Sequence, residues 1–108
     1  MNELNITINR IRNIIIELLP AGHPTLVMVA RRLGVSQRTL QRRLADKDLT
    51  HSKVVNQARL AKACQLLTQR DILISDIARK SGFSTPSSFS RAFQSWTGTS
   101  PRAFRNGL

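Results

Sequence analysis

The sequence predicts an all-α fold of seven helices, arranged as two helix-turn-helix subdomains joined by a long linker helix. Three observations carry this. A seven-residue stretch, Ala30-Arg31-Arg32-Leu33-Gly34-Val35-Ser36, returns in order as Ala78-Arg79-Lys80-Ser81-Gly82-Phe83-Ser84. In each copy a short helix breaks at glycine and a second starts on serine, the pattern of a helix-turn-helix. Apolar residues recur at helical spacing between Pro, Gly and Ser/Thr stops, and no segment reads convincingly as a strand. The core set of Leu, Ile, Val and Ala, with four Phe, one Trp and no Tyr, suits small packed helices.

Residues 4–19 place Leu4, Ile8, Ile11, Ile15 and Leu18 at helical spacing, and Pro20 and Gly22 stop that helix. Ile14-Ile15-Ile16 resembles a strand locally, but length and period favour helix. Thr25 caps a second helix running to Leu33, with Leu26, Val29, Ala30 and Leu33 inward. Gly34 supplies the positive φ of a tight turn, and Ser36 caps a third helix from Gln37 to about Asp46. After a polar connection over 47–51, a long helix spans about Ser52 to Thr68. Its Val54, Ala58, Leu60, Ala61, Cys64 and Leu67 cover so wide an arc that both sides should be packed. Ser75 caps a short helix from Asp76 to Ser81, and Gly82 turns the chain. The next helix runs from about Pro86 to Trp96 and ends at Gly98, and Ser100-Pro101 opens a last one that docks Phe104. The expected division is a first subdomain at about 4–50, the linker helix at about 52–68 and a second subdomain at about 72–106.

A balance of 17 Lys+Arg against 6 Asp+Glu, net +11, implies a polyanionic partner. Thirteen of the seventeen cations are Arg, the residue suited to bidentate contact with phosphate or guanine. A lone Cys64 excludes an internal disulfide and reads as a small core residue. With His23 and His51 scattered, no metal-ligand cluster or cofactor site is expected. The longest apolar run is cut by Glu17, far short of a membrane span, and the N-terminus lacks a signal pattern, so a cytoplasmic setting is the expectation. Carboxylates are isolated, and neither a nucleophile–base spacing nor a phosphate-cradling glycine loop occurs, which argues against an enzyme.

Helical angles select the outward residues. Leu40 and Leu44 define the buried side of the third helix. Opposite them lie Arg38 and Arg42, flanked by Gln41 and Thr39. In the later unit Phe89, Phe93 and Trp96 face inward, with Arg91, Ser87 and Gln94 opposite and Ser90 beside them. Arg reads guanine O6 and N7, Gln reads adenine N6 and N7, and Ser serves base or phosphate. The two copies differ in length. Gly34 and Gly82 are 48 positions apart, whereas Leu40 and Phe89 are 49 apart, so the second unit has one extra residue near Thr85-Pro86-Ser87. Lys53 and Arg102, with caps at Ser36 and Ser84, are candidates for phosphate contact.

From about His23 to Arg105 the chain resembles the DNA-binding domain of AraC/XylS transcription regulators. The most specific residues are Asp76-Ile77-Ala78, Gly82-Phe83-Ser84, Phe89-Ser90-Arg91-Ala92-Phe93, Trp96-Thr97-Gly98-Thr99-Ser100-Pro101 and Phe104-Arg105. Ser36 to Leu44 looks like the first recognition helix of the branch with a Leu-Pro-x-Gly lead-in, here Leu19-Pro20-Ala21-Gly22. The resemblance implies a bacterial regulator, commonly an activator, that binds promoter DNA as a monomeric unit with two reading helices in adjacent major-groove segments. It places base reading at Arg38, Gln41 and Arg42 and at Ser87, Ser90 and Arg91, with Pro86 where a polar reader is common. Backbone positioning is expected from Ser36, Gln37, Thr39, Arg43, Ser84, Thr85, Ser88 and Arg102. RNA polymerase and an N-terminal effector or dimerisation domain are further partners the family suggests. The chain is then either a short stand-alone member or the C-terminal part of a longer regulator. Two rivals remain at this level: a sequence-indifferent binder of DNA or RNA, and a helical module docking an acidic protein.

Overall fold

The computed structural model describes residues 6–108. Within them seven α-helices succeed one another: α1 Ile8–Leu18, α2 Leu26–Leu33, α3 Gln37–Ala45, α4 His51–Leu67, α5 Ile74–Lys80, α6 Pro86–Thr97 and α7 Pro101–Asn106. A one-turn 3-10 segment, Leu19–Ala21, comes after α1, and no strand occurs among the described residues.

Capping explains most boundaries. Thr7, Thr25, Ser36, Thr50, Thr85 and Ser100 each take extended backbone angles. Each accepts the backbone N–H three residues on, satisfying a donor that the first helical turn leaves free. Three expectations are corrected on this ground. The first helix starts at Ile8, after its Thr7 cap, and the predicted Leu4 lies outside the described residues. Thr50 starts α4 at His51. Ser75 is not a cap: α5 begins at Ile74 after Leu73, which makes no side-chain capping bond.

The helices form two apolar clusters that share α4. Ile11, Ile14, Ile15 and Leu19 meet Val29, Ala30 and Leu33, Leu40 and Leu44, and Val54, Val55 and Ala58 in the first. Ala63, Leu66, Leu67, Ile77, Ala78, Phe89 and Phe93 form the second, with Phe83 and Phe104 packed against it. At 3.6 residues per turn the two sets on α4 point roughly 120–130° apart, which is why this helix shows no single apolar stripe. Ala61, expected inward, is exposed: it shares the azimuth of Val54 and Ala58 but lies past the end of the first core. Val55, Ala63 and Leu66 are buried in its stead. Cys64 is half-buried against the second core, and burial pushes its thiol pKa up, which keeps it protonated.

Contacts outside the cores tie the parts together. Glu17 on α1 pairs with Arg32 on α2, and Arg12 on α1 donates to Gln57 on α4. Arg105 donates through Nε to Leu67 O at 3.1 Å and through Nη2 to Gln69 O at 3.0 Å, closing off the carbonyl end of α4. Trp96 is half-buried, its ring 6.1 Å from that of Phe83.

Candidate nucleic-acid interface

The two helix-turn-helix units, α2–α3 and α5–α6, begin alike and diverge in the turn. Gly34 closes α2 at φ 72° and Gly82 comes after α5 at φ 88°, a left-handed conformation that L side chains rarely adopt. Val35 N–H donates to Ala30 O and Phe83 N–H to Ala78 O, so both helices end with the same bond pattern. The cap of α3, Ser36, comes two residues after its glycine. The cap of α6 is Thr85, three residues after Gly82, and Ser84 is a turn residue. The extra residue of the second unit therefore sits in the turn before Thr85, and from the caps onward the helices run in register.

That register is visible in the hydroxyls. Thr39 N–H donates to Ser36 Oγ at 3.1 Å, and Ser88 N–H donates to Thr85 Oγ1 at 3.1 Å. Each cap hydroxyl in turn donates at 3.0 Å to the hydroxyl of that third residue. Counted from the caps, Gln37 matches Pro86, Arg38 matches Ser87, Gln41 matches Ser90 and Arg42 matches Arg91. Leu40 and Phe89 are fully buried beneath them. Because Pro86 has no N–H, the α6 terminus offers one backbone donor fewer than α3.

Of the residues expected to read bases, Arg38, Gln41, Arg42, Ser87 and Arg91 are exposed and Ser90 is half-buried. Ser36, Gln37, Ser84 and Thr85 lie at the two helix starts, and all four are exposed. Thr39 and Ser88 are engaged in the caps, and Arg43 is half-buried on the flank of α3. Gln94 donates to Gly98 O at 3.3 Å. Arg102 is exposed in the first turn of α7, where it lines a groove with Arg70 and Arg105, and Lys53 is exposed near the start of α4. Neither α3 nor α6 contains an acidic residue. Both faces therefore carry only positive charge and neutral hydrogen-bonding groups, as a polyanionic surface with base edges requires.

Sequence reasoning missed a polar cluster between the two units. The two histidines, far apart in the chain, have ring centroids 6.4 Å apart, edge to face. His51 Nε2 lies 2.7 Å from Pro24 O, which only accepts, so Nε2 carries the proton. Arg59 Nη2 donates to His23 Nδ1 at 3.1 Å, which requires that nitrogen bare. Burial, then Arg59, then His51 holds the His23 pKa below the usual imidazole value. No group of three or more metal-ligating residues occurs among the described residues, and no helix described is long and apolar enough to cross a membrane.

Residues 29–107 match the family described as a helix-turn-helix domain. The chain is 38% identical over 93 residues to the HTH-type transcriptional regulator VqsM of Pseudomonas aeruginosa, covering 86% of this chain and 29% of VqsM. It is 35% identical over 80 residues to the transcriptional activator AggR of Escherichia coli, covering 74% of this chain and 30% of AggR. In structure it resembles a transcriptional regulator with an AraC-type DNA-binding domain from Chromobacterium violaceum. The TM-score is 0.73 at 27% identity, over 91% of each chain. The chain thus spans somewhat under a third of the length of these curated relatives.

Proposed function

The chain belongs to the AraC-type helix-turn-helix family of bacterial transcription regulators, and on that premise we propose that it binds duplex DNA sequence-specifically with α3 and α6 in successive major-groove segments. One observation carries this reading: two helices with matched caps and register expose faces of Arg, Gln and Ser without an acid, on a chain of net charge +11. Arg38, Gln41 and Arg42 read bases in one segment, and Ser87, Ser90 and Arg91 in the next. Ser36, Gln37, Ser84, Thr85 and Arg102 set the frame on phosphates, with Arg43, Thr39 and Ser88 supporting them. The halves at about 4–50 and 72–106 act as one unit through the linker helix.

The role is regulatory rather than enzymatic. It is exercised in the cytoplasm on promoter DNA, as an activator, which is how AggR is described. The remaining length of the relatives leaves room for an effector or dimerisation domain, and RNA polymerase is the partner an activator addresses.

The test is selection of bound sites from a random duplex library, then Arg38→Ala and Gln41→Ala on the selected site. Each should cost about 1–3 kcal/mol there and relax base preference locally. Equal weakening on selected and random duplex would reduce these residues to phosphate contacts. A specificity ratio near one for the parent protein would favour a sequence-indifferent binder.

A further inference from the structure

Between the two units lies a cleft of about 450 Å³, bounded by Pro20, Ala21, Gly22 and His23 on one side and by Arg79, Gly82, Phe83 and Ser84 on the other. Arg59 of α4 crosses it. At its position on the helix it falls between the two directions that α4 uses for its cores. Its Nη2 donates to His23 Nδ1 at 3.1 Å and lies 3.4 Å from Gly82 O, and its Cζ stands 4.8 Å from the centre of the Phe83 ring. Beside this contact the backbones close up. A Cβ on Gly82 would lie 2.9 Å from Leu19 Cδ2 and 3.4 Å from Leu19 O.

Each end of this bridge leads directly into one helix-turn-helix unit. His23 comes just before Thr25, the cap of α2, which packs on α3. Gly82 and Phe83 come just before Thr85, the cap of α6. Both cores hold α4, but each does so within its own half. Arg59 is where one side chain touches the lead-in of both units at once. Its partners are a neutral imidazole, a carbonyl and a ring face, with no carboxylate lining the cleft. Burial desolvates the guanidinium and holds its pKa below the ordinary value, so these directed contacts, rather than an ion pair, hold it in place.

We propose that Arg59 is a positioning residue that sets the relative placement of α3 and α6, and so limits the spacing of base pairs the protein tolerates between its two contacted segments. This rests on the two-groove reading above. The mechanism is angular as well as linear: one base pair more or less displaces the second segment by about 3.4 Å and rotates it by roughly 34–36°. A rigid pair of reading helices cannot track that step, whereas a pair released from Arg59 can.

The experiment has two arms. In the free protein, nitroxides on Ala45→Cys and Ser95→Cys, in a Cys64→Ser background, report the α3–α6 distance by pulsed dipolar spectroscopy. One narrow distance is expected with Arg59, and a broadened or shifted distribution with Arg59→Met, which keeps the side-chain stem. His23→Ala, at an exposed position, should broaden it too, and serves if Arg59→Met fails to fold by circular dichroism. In the second arm, a duplex selected by the parent protein is compared with forms carrying one base pair inserted or deleted between the two protected segments. The parent should lose about tenfold or more on each, and the variant no more than about threefold.

An unchanged distance distribution in folded Arg59→Met and His23→Ala overturns the proposal whatever the DNA results. So does a broadened distribution with spacing discrimination intact. If the parent selects no sequence at all while the variants still broaden, the DNA reading fails and the positioning role of Arg59 stands.

Discussion

Ser36 and Thr85 hold the same station in the two units: each hydroxyl accepts the backbone N–H of the third residue on at 3.1 Å. They are 49 positions apart although the preceding glycines are 48 apart, so the single-residue difference between the copies is absorbed in a turn. The reading helices therefore keep a common internal register, and the units differ in how each helix is delivered to its groove.

Thr85→Ala should destabilise the protein by about 1 kcal/mol, and Ser36→Ala by a similar amount, as expected for removal of a capping oxygen. Ser84→Ala, one residue away, should stay within about 0.5 kcal/mol of the parent because Ser84 makes no cap. Urea denaturation monitored by circular dichroism measures all three. A Ser84→Ala loss matching that of Thr85→Ala would contradict the assignment.

The difference between Ser84 and Thr85 also marks how far the sequence was legible. Thr25 and Ser36 stand alone before a helical period and Ser100 stands directly before Pro101, and each is the cap it resembles. In Ser84-Thr85-Pro86 two hydroxyls compete. The deciding signal is Pro86, which favours the first helical position and makes its predecessor the cap. Ser75 misleads for a related reason, since α5 starts from Leu73 with no side-chain cap to announce it. The bridge from His23 through Arg59 to Gly82 has no local signal. It depends on how α1 and α5 lie across α4, and that angle is set by packing, which a single sequence does not display.

Phe89→Ala or Phe93→Ala should cost about 3–5 kcal/mol through lost burial and the cavity left behind. Both side chains are fully buried, with ring centroids 5.7 Å apart, and Phe93 also meets Phe104 at 5.4 Å. DNA binding should fail with melting of the second unit. A thermal midpoint equal to the parent's would show that these rings do not carry the core.

His23 gives stability a pH dependence of known sign. Its folded pKa is lowered, so between that value and the ordinary one near 6.5 the unfolded chain binds more protons. The contribution is complete above about pH 6.5, falls as pH drops through that value, and levels off below the folded pKa. Arg59 of α4 and Arg79 of α5 are the cations lining this cleft, with the His51 ring beside His23, so protonation of His23 adds like charge and removes the Arg59 acceptor. His23→Asn keeps an acceptor oxygen and cannot titrate. The melting temperature of the parent should therefore fall more between pH 7 and pH 5 than that of His23→Asn, by a modest amount because the residue is exposed. Parallel curves would assign the acid sensitivity elsewhere.

The two-unit arrangement makes a sharper demand on the DNA. Segments of major groove on one face recur after about 34–36 Å, or roughly 10–10.5 base pairs. Because α3 presents Arg38, Gln41 and Arg42 where α6 presents Ser87, Ser90 and Arg91, the site should be an asymmetric stretch of about 15–20 base pairs that needs no palindrome. Whatever the linker helix fails to span, bending of the duplex must supply. Inserting about five base pairs between the two segments turns the second to the opposite face. That exceeds any latitude gained by releasing Arg59, so most of the contribution of α6 should disappear. Arg91→Ala, costly on the parent site, should then cost little on the inserted one. Affinity that survives the insertion, with Arg91→Ala still weakening both sites alike, would refute binding of the two units to one face of the duplex.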